Sequence, residues 1–206
     1  MAEAKDEYTT LSGPARVESR VQASRFIANA VPVSGKTEVD AFLSEVRKEH
    51  FAATHHSFAF RLGPDGLLSR ANDDGEPAGS AGRPILTSIE KAGRPALRAG
   101  APRAGGGPPP GPGGVVRAYG GAADAVLAGA PRVTRYALEA VEVSFPHALI
   151  GQVMHLVRTS GARIAGTRYD EEVHMRLDIR ASRAQELRRA LIEQTSGRAV
   201  IIDRPP

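Results

Sequence analysis

Val173-His174-Met175-Arg176-Leu177-Asp178-Ile179-Arg180 is the stretch that decides the fold of the C-terminal third. Apolar and polar residues alternate strictly across it, the period of a strand with one dry and one wet face. Upstream, Val141, Val143 and Phe145 alternate with Glu142 and Ser144, again a strand. Pro146 opens a helix that carries Leu149, Ile150, Val153 and Val157 on one face, and Gly161 stops it. Residues 162–169 read as a further strand, with Asp170 and Glu171 turning the chain into 173–180. Downstream, Ser182 is an N-cap candidate for a helix burying Leu187, Ala190 and Leu191. Gly197 ends that helix, and Val200 to Ile202 form a last strand. The order β-α-β-β-α-β is the ferredoxin-like split motif.

The N-terminal part is also mixed α/β. Two strand-like stretches occupy residues 14–33, and Thr37 is placed to cap a helix whose face is Val39, Phe42, Leu43 and Val46. Residues 53–62 alternate, with His56, Phe58, Phe60 and Leu62 on one face and His55, Ser57, Ala59 and Arg61 on the other. Helices are expected around Pro84 to Ala92 and Val115 to Leu127, and Pro131 marks a boundary. The domains expected are therefore residues 1–132 and 133–206. Residues 93–112 are anomalous: in GRPALRAGAPRAGGGPPPGPGG, residues 93–114, Gly and Pro fill 14 of 22 positions. Such a composition reads as a linker that supports no core strand or helix.

The 206 residues include no cysteine, which excludes disulfides, Cys-based zinc sites and Cys nucleophiles. A 41% hydrophobic fraction supplies real cores, yet no apolar run approaches the ~18 residues of a membrane span. The first ten residues lack the apolar core of a signal peptide, so the expectation is cytoplasmic, without membrane contact. A net charge of +4 permits contact with nucleic acid without demanding it. No HxH or HExxH spacing occurs, so neither a metal nor another cofactor is expected, and no serine sits in a nucleophile elbow.

The most specific local feature is Asp73-Asp74-Gly75-Glu76-Pro77-Ala78-Gly79-Ser80-Ala81-Gly82-Arg83-Pro84-Ile85-Leu86. Three readings are open. Asp73 and Asp74 accept backbone N–H groups while Glu76 caps or ion-pairs, fixing a turn. Alternatively, free N–H groups from Gly79 to Gly82, at the start of the next helix, hold an anion. In the third, Asp73, Asp74 and Glu76 with His55 form a carboxylate/His hydrolytic site. Gly113-Gly114 offers a second helix start, where Arg117 and Tyr119 add a guanidinium and a ring for stacking. In the C-terminal part, His174, Arg176 and Arg180 share the wet face of one strand, a basic surface without the paired aromatics of an RNA-reading sheet.

With Ser24-Arg25-Phe26-Ile27-Ala28 and Ala53-Thr54-His55 upstream and Gly113-Gly114-Val115-Val116-Arg117-Ala118-Tyr119-Gly120 downstream, this ordered set resembles the IMPACT/YigZ family. The resemblance implies an α+β protein of two domains. The first is an α/β sandwich like the second domain of ribosomal protein S5, and the second a ferredoxin-like domain similar to those of elongation factor G. It implies a translation-linked regulatory protein that contacts RNA or a ribosome-associated partner, as eukaryotic members regulate translation under starvation. A binding protein is thus favoured over an enzyme. The site would comprise His55, Asp73, Asp74, Gly75, Glu76, Pro77, Gly79, Gly82, Arg83, Pro84, Gly113, Gly114, Arg117 and Tyr119. One departure stands out: the family's hydrophobic strand and TRYFGG-like motif are replaced, at about the same length, by the Gly/Pro run. A shifted reading of codons for Arg98 to Ala101 encodes a Val-Leu-Val-Leu run, so the reading adopted is a compensated frameshift, which resequencing of the locus tests.

Overall fold

The structure is a computed structural model that describes residues 6–93, 97–104 and 111–202. It is mixed α+β and falls into two compact units. The larger spans Tyr8–Arg135; the smaller begins at Tyr136 and takes in Asp6 and Glu7.

In the larger unit, β1 (Glu7–Leu11) pairs with β7 (Arg132–Tyr136) as a two-stranded ribbon, so the chain is still in this unit when it passes Pro131. A five-stranded sheet has the order β2-β3-β6-β4-β5, with β2 at Ala15–Val21, β3 at Ser24–Pro32, β4 at His55–Leu62, β5 at Leu68–Asn72 and β6 at Leu97–Ala104. Every neighbouring pair is antiparallel. The alternation in β4 has the expected consequence. Ala59 enters a core with Ile85, Leu86 and Ile89 of α2 (Gly82–Lys91) and Val115, Tyr119 and Val126 of α3 (Pro112–Gly129). Phe58, Phe60 and Leu62 enter a smaller core on the opposite face under α1 (Lys36–Glu49), with Val39 and Leu43. Both faces of β4 are therefore dry, which is why its pattern of burial is nearly continuous.

The expectation that neither strand nor helix forms in residues 93–114 fails for Leu97–Ala104, which is β6, the middle strand of the sheet, and for Pro112 to Gly114, which open α3. Composition argues from local propensity, whereas the slot between β3 and β4 offers hydrogen-bond partners on both sides. The sequence still leaves its mark. Against β4 the register is unbroken from His55↔Arg103 to Arg61↔Leu97. Against β3 it lapses between Phe26↔Arg103 and Asn29↔Gly100, where Pro102 has no N–H to give.

Two capping expectations are also corrected. Helix α1 starts at Lys36 after Gly35, with no side-chain cap; Glu38 instead accepts the Ser34 N–H at 2.8 Å. Thr37 is therefore inside the helix. In the smaller unit α5 (Ala181–Gln194) begins one residue before Ser182, whose N–H donates to Asp6 Oδ1 at 2.7 Å and whose hydroxyl also donates to Asp6.

The smaller unit has the sheet order β11-β8-β10-β9, formed by β8 (Leu138–Phe145), β9 (Arg163–Tyr169), β10 (Val173–Arg180) and β11 (Val200–Ile201). Helices α4 (Ile150–Ser160) and α5 supply Val153, Val157, Leu187 and Leu191 to a core against Val141, Val143, Phe145 and the apolar residues of β10. This is the ferredoxin-like arrangement, and Gly161 at φ 72° closes α4 in the left-handed conformation.

Candidate functional site

The acidic loop runs from the end of β5 to the start of α2. Asp74 has φ 48° and Gly75 φ 85°, two successive left-handed residues that reverse the chain over the edge of β4. A side chain at Gly75 would approach His55 Nδ1 to 3.3 Å. Asp73 folds back under the following turn. Its Oδ1 accepts N–H groups from Gly82 at 2.8 Å and Ala81 at 3.0 Å, and its Oδ2 accepts from Gly79 at 2.8 Å. Burial alone would raise this carboxyl, but the three donors outweigh it and hold Asp73 below the usual carboxylate range.

Asp74 ties the loop to the strand and helix beneath. Its Oδ2 accepts the His56 N–H at 2.7 Å, and its Oδ1 lies 3.2 Å from the Arg47 guanidinium. Asn72 Oδ1 in turn accepts the Asp74 N–H at 2.7 Å. The Ser57 hydroxyl, itself buried, donates to Asp73 O at 2.7 Å.

Glu76 is buried. Its Oε1 accepts the Tyr119 hydroxyl at 2.8 Å and lies 2.7 Å from Arg103 Nε, an ion pair in contact although not aligned as a hydrogen bond. Tyr119 is fully enclosed, edge-on to Phe26 at 5.1 Å, and burial holds its phenol far above the ordinary value. His55 completes the cluster. Its Nδ1 is 2.8 Å from the Asp74 carbonyl, which can only accept, so Nδ1 carries the proton. In the neutral ring Nε2 is then the lone pair, 3.9 Å from Glu76 Oε1. His56 points the other way and donates through Nε2 to His50 O at 3.1 Å.

The structure thus brings His55, Asp73, Asp74, Gly75 and Glu76 together, and of the three readings of the loop its geometry is that of the turn-fixing one. The N–H groups of Gly79, Ala81 and Gly82 are aimed at Asp73 rather than at solvent, so the anion-holding reading lacks free donors there. Gly82 is needed for close packing, since a Cβ would sit 2.6 Å from the Asn72 backbone N. Tyr119 offers no stacking ring to a ligand, because its ring is in the core.

Pro77 and Gly79 are exposed, and Gly79, Arg83, Pro84 and Arg117 line a groove of about 520 Å³ between α2 and α3. Gly113 and Gly114 lie in the first turn of α3, where the Arg117 side chain reaches back along the helix toward Gly113. Arg83, Arg117 and also Lys91, another residue of the groove, have no carboxylate within ion-pair distance among the described residues. Sequence reasoning missed Lys91, although its i, i+8 spacing from Arg83 puts it on the same helical face. It also missed Arg103, hidden inside the Gly/Pro run.

The wet face of the smaller unit's sheet forms a second basic surface. Arg168, His174 and Arg176 border a depression of about 300 Å³. Arg163 and Arg168 there are paired with Asp178 and Asp170. Among the described residues no helix is long and apolar enough to cross a membrane, and no three His, Cys, Asp or Glu converge on a metal site.

Fold and site together define a two-unit α+β protein: an S5-domain-2-like sandwich carrying an acidic-glycine loop, followed by a ferredoxin-like unit. The Impact N-terminal domain family matches residues 22–127, and a domain of unknown function, DUF1949, matches residues 143–198. The chain belongs to the IMPACT family. It is 29% identical over 194 residues to the IMPACT family member YvyE of Bacillus subtilis (strain 168), covering 94% of this chain and 89% of that one. It is 40% identical over 140 residues to an IMPACT family member encoded in the pol 5' region of Thermus thermophilus, covering 67% and 74%. A crystal structure of a hypothetical protein superimposes with a TM-score of 0.77 at 27% identity, covering 97% of this chain and 98% of that one.

Proposed function

We propose that this IMPACT family member is a translation-linked binding protein of the cytoplasm that contacts RNA or a ribosome-associated partner. The observation that carries this reading is the division of labour around the acidic loop. Its carboxylates are engaged by backbone N–H groups, Arg47, Arg103 and Tyr119. The exposed cations next to it, Arg83, Lys91 and Arg117, have no such partners. Carboxylates held this way stabilise a scaffold, and free cations beside it suit an anionic partner. Crosslinking the tagged protein in cells and identifying what co-purifies tests the proposal. RNA or ribosomal components are expected; recovery of neither refutes it.

One observation favours a hydrolase as second reading: His55 Nε2 lies 3.9 Å from Glu76 Oε1, a histidine–carboxylate pair at the acidic loop. On that reading Asp74→Asn, which unseats the loop over His55, abolishes turnover. On the binding reading RNA affinity survives Asp74→Asn.

A further inference from the structure

We infer that the α2–α3 groove seats a short stretch of single-stranded RNA, three of its phosphates on Arg83, Lys91 and Arg117 and one base against the groove floor. This inference rests on the RNA-binding reading above and names the place and the contacts.

Three features of the groove converge. Its volume, about 520 Å³, lies within the range of roughly 300–1,000 Å³ typical of small-ligand clefts. Its surface is mainly apolar where Pro84 and Val116 line it, and Val116 is 40% exposed whereas Val115, Val126 and Leu127 of the same helix are buried. An apolar strip beside cations suits a base joined to a phosphate, since each base has a π-face to lay on it.

The charge pattern separates RNA from an acidic peptide. Three cations gather around the groove, yet Asp124 also lines it. A peptide bearing carboxylates would be repelled by Asp124. A nucleotide uses it, because a 2′-hydroxyl or an exocyclic amine donates to a carboxylate while the phosphates stay on the guanidinium and ammonium groups. Thr87 adds a hydroxyl between the two ends of the α2 face, while the buried Ser88 hydroxyl donates to Gly120 O and ties α2 to α3 beneath the groove.

The floor is open because α3 carries Gly120-Gly121 there. A Cβ at Gly120 would make ordinary contact with Pro84 Cβ at 3.7 Å, and one at Gly121 would meet nothing within 4 Å. Neither glycine has a left-handed φ, so the helix backbone does not require them. Gly121 costs helix stability compared with almost any other residue. What its absence of a side chain leaves is space in the groove.

The test uses the full chain and a labelled ten-nucleotide oligouridylate, read by fluorescence anisotropy from 50 to 200 mM salt. Three phosphate contacts on a single strand contribute a salt slope of about −2. Their share of the affinity therefore falls about twentyfold over this range. The Arg83→Ala/Lys91→Ala/Arg117→Ala triple variant is expected to lose that share and show a slope shallower by about 2. Gly121→Leu fills the floor with a better helix former, so it is expected to weaken binding at least tenfold while the melting temperature stays level or rises. If the wild type binds RNA and both variants match it, the groove is not the site and only this inference falls. If the wild type binds no RNA, the reading beneath it falls as well. A loss confined to the alanine triple overturns the seating of a base and leaves surface charge alone. Displacement of the RNA by polyglutamate at equal charge overturns the choice of RNA over an acidic peptide.

Discussion

Replacing Asp73 probes the turn on which the whole loop hangs. In Asp73→Ala three N–H groups lose their acceptor. Ala81 and Gly82 are buried, whereas Gly79 is exposed and can turn to water. An orphaned buried donor costs about 1–3 kcal/mol, so two of them give roughly 2–6 kcal/mol for the larger unit, with little added for Gly79. Asp73→Asn is the sharper variant. Its amide oxygen can take the place of Oδ1 and still accept from Ala81 and Gly82. Its amide nitrogen faces the Gly79 N–H, donor against donor. The loss expected is about 1 kcal/mol, the low end for a charge-assisted bond because Asp73 is partly exposed. Urea unfolding gives both numbers, and hydrogen exchange at the Ala81 and Gly82 amides localises them. Those amides should lose protection in Asp73→Ala and keep most of it in Asp73→Asn.

The pH dependence follows from the same bonds. The folded Asp73 carboxyl lies below its unfolded value, so the unfolded chain takes up this proton first and stability falls as pH falls. The contribution is complete above about pH 5 and is lost as pH drops past the unfolded carboxyl value of about 3.9 and through the folded one. Both Asp73→Asn and Asp73→Ala lack this carboxyl, so each should be flatter in acid than the wild type. If Asp73→Ala costs under about 0.5 kcal/mol, or if both variants are equally destabilised, the hydrogen-bond reasoning is wrong, because unpaired buried donors are what set the two apart.

Tyr119→Phe keeps the edge-on contact with Phe26 but removes the donor to buried Glu76, and should cost about 1–2 kcal/mol in urea unfolding. Gly82→Ala drives a Cβ into the Asn72 backbone and should cost roughly 2–4 kcal/mol in the same measurement, with loop amides exchanging faster. Glu76→Gln leaves Arg103 without a counter-charge and should lower the melting temperature more than Tyr119→Phe does, since an uncompensated buried charge costs more than one lost neutral donor. Resequencing the locus tests the frameshift reading of residues 93–112: a shifted frame removes Arg103 and with it the Glu76 ion pair, whereas a clean read of the present frame refutes the frameshift and makes Pro102 and Arg103 genuine members of β6.

What could be read without coordinates was whatever rests on periodicity. The alternation in residues 173–180 and 141–145 follows from one wet and one dry face, and the helical spacing of Leu187 and Leu191 from a single buried stripe. The chain carries both patterns locally, so the ferredoxin-like unit was legible strand by strand. The composition of the acidic loop marked it as the most specific local feature but left three readings open, a fixed turn, an anion site and a carboxylate/His site.

Tertiary structure alone decided what faces what. Leu97–Ala104 became a central strand because neighbours on both sides supply hydrogen bonds, a fact no local propensity contains. Asp73 consumed the N–H groups that the sequence offers equally well to a ligand, and Tyr119 turned its ring into the core instead of outward. Arg83, Lys91 and Arg117 met around one groove because α2 and α3 pack side by side. Each of these outcomes depends on pairing residues far apart in the chain, and that is settled only when the chain closes on itself.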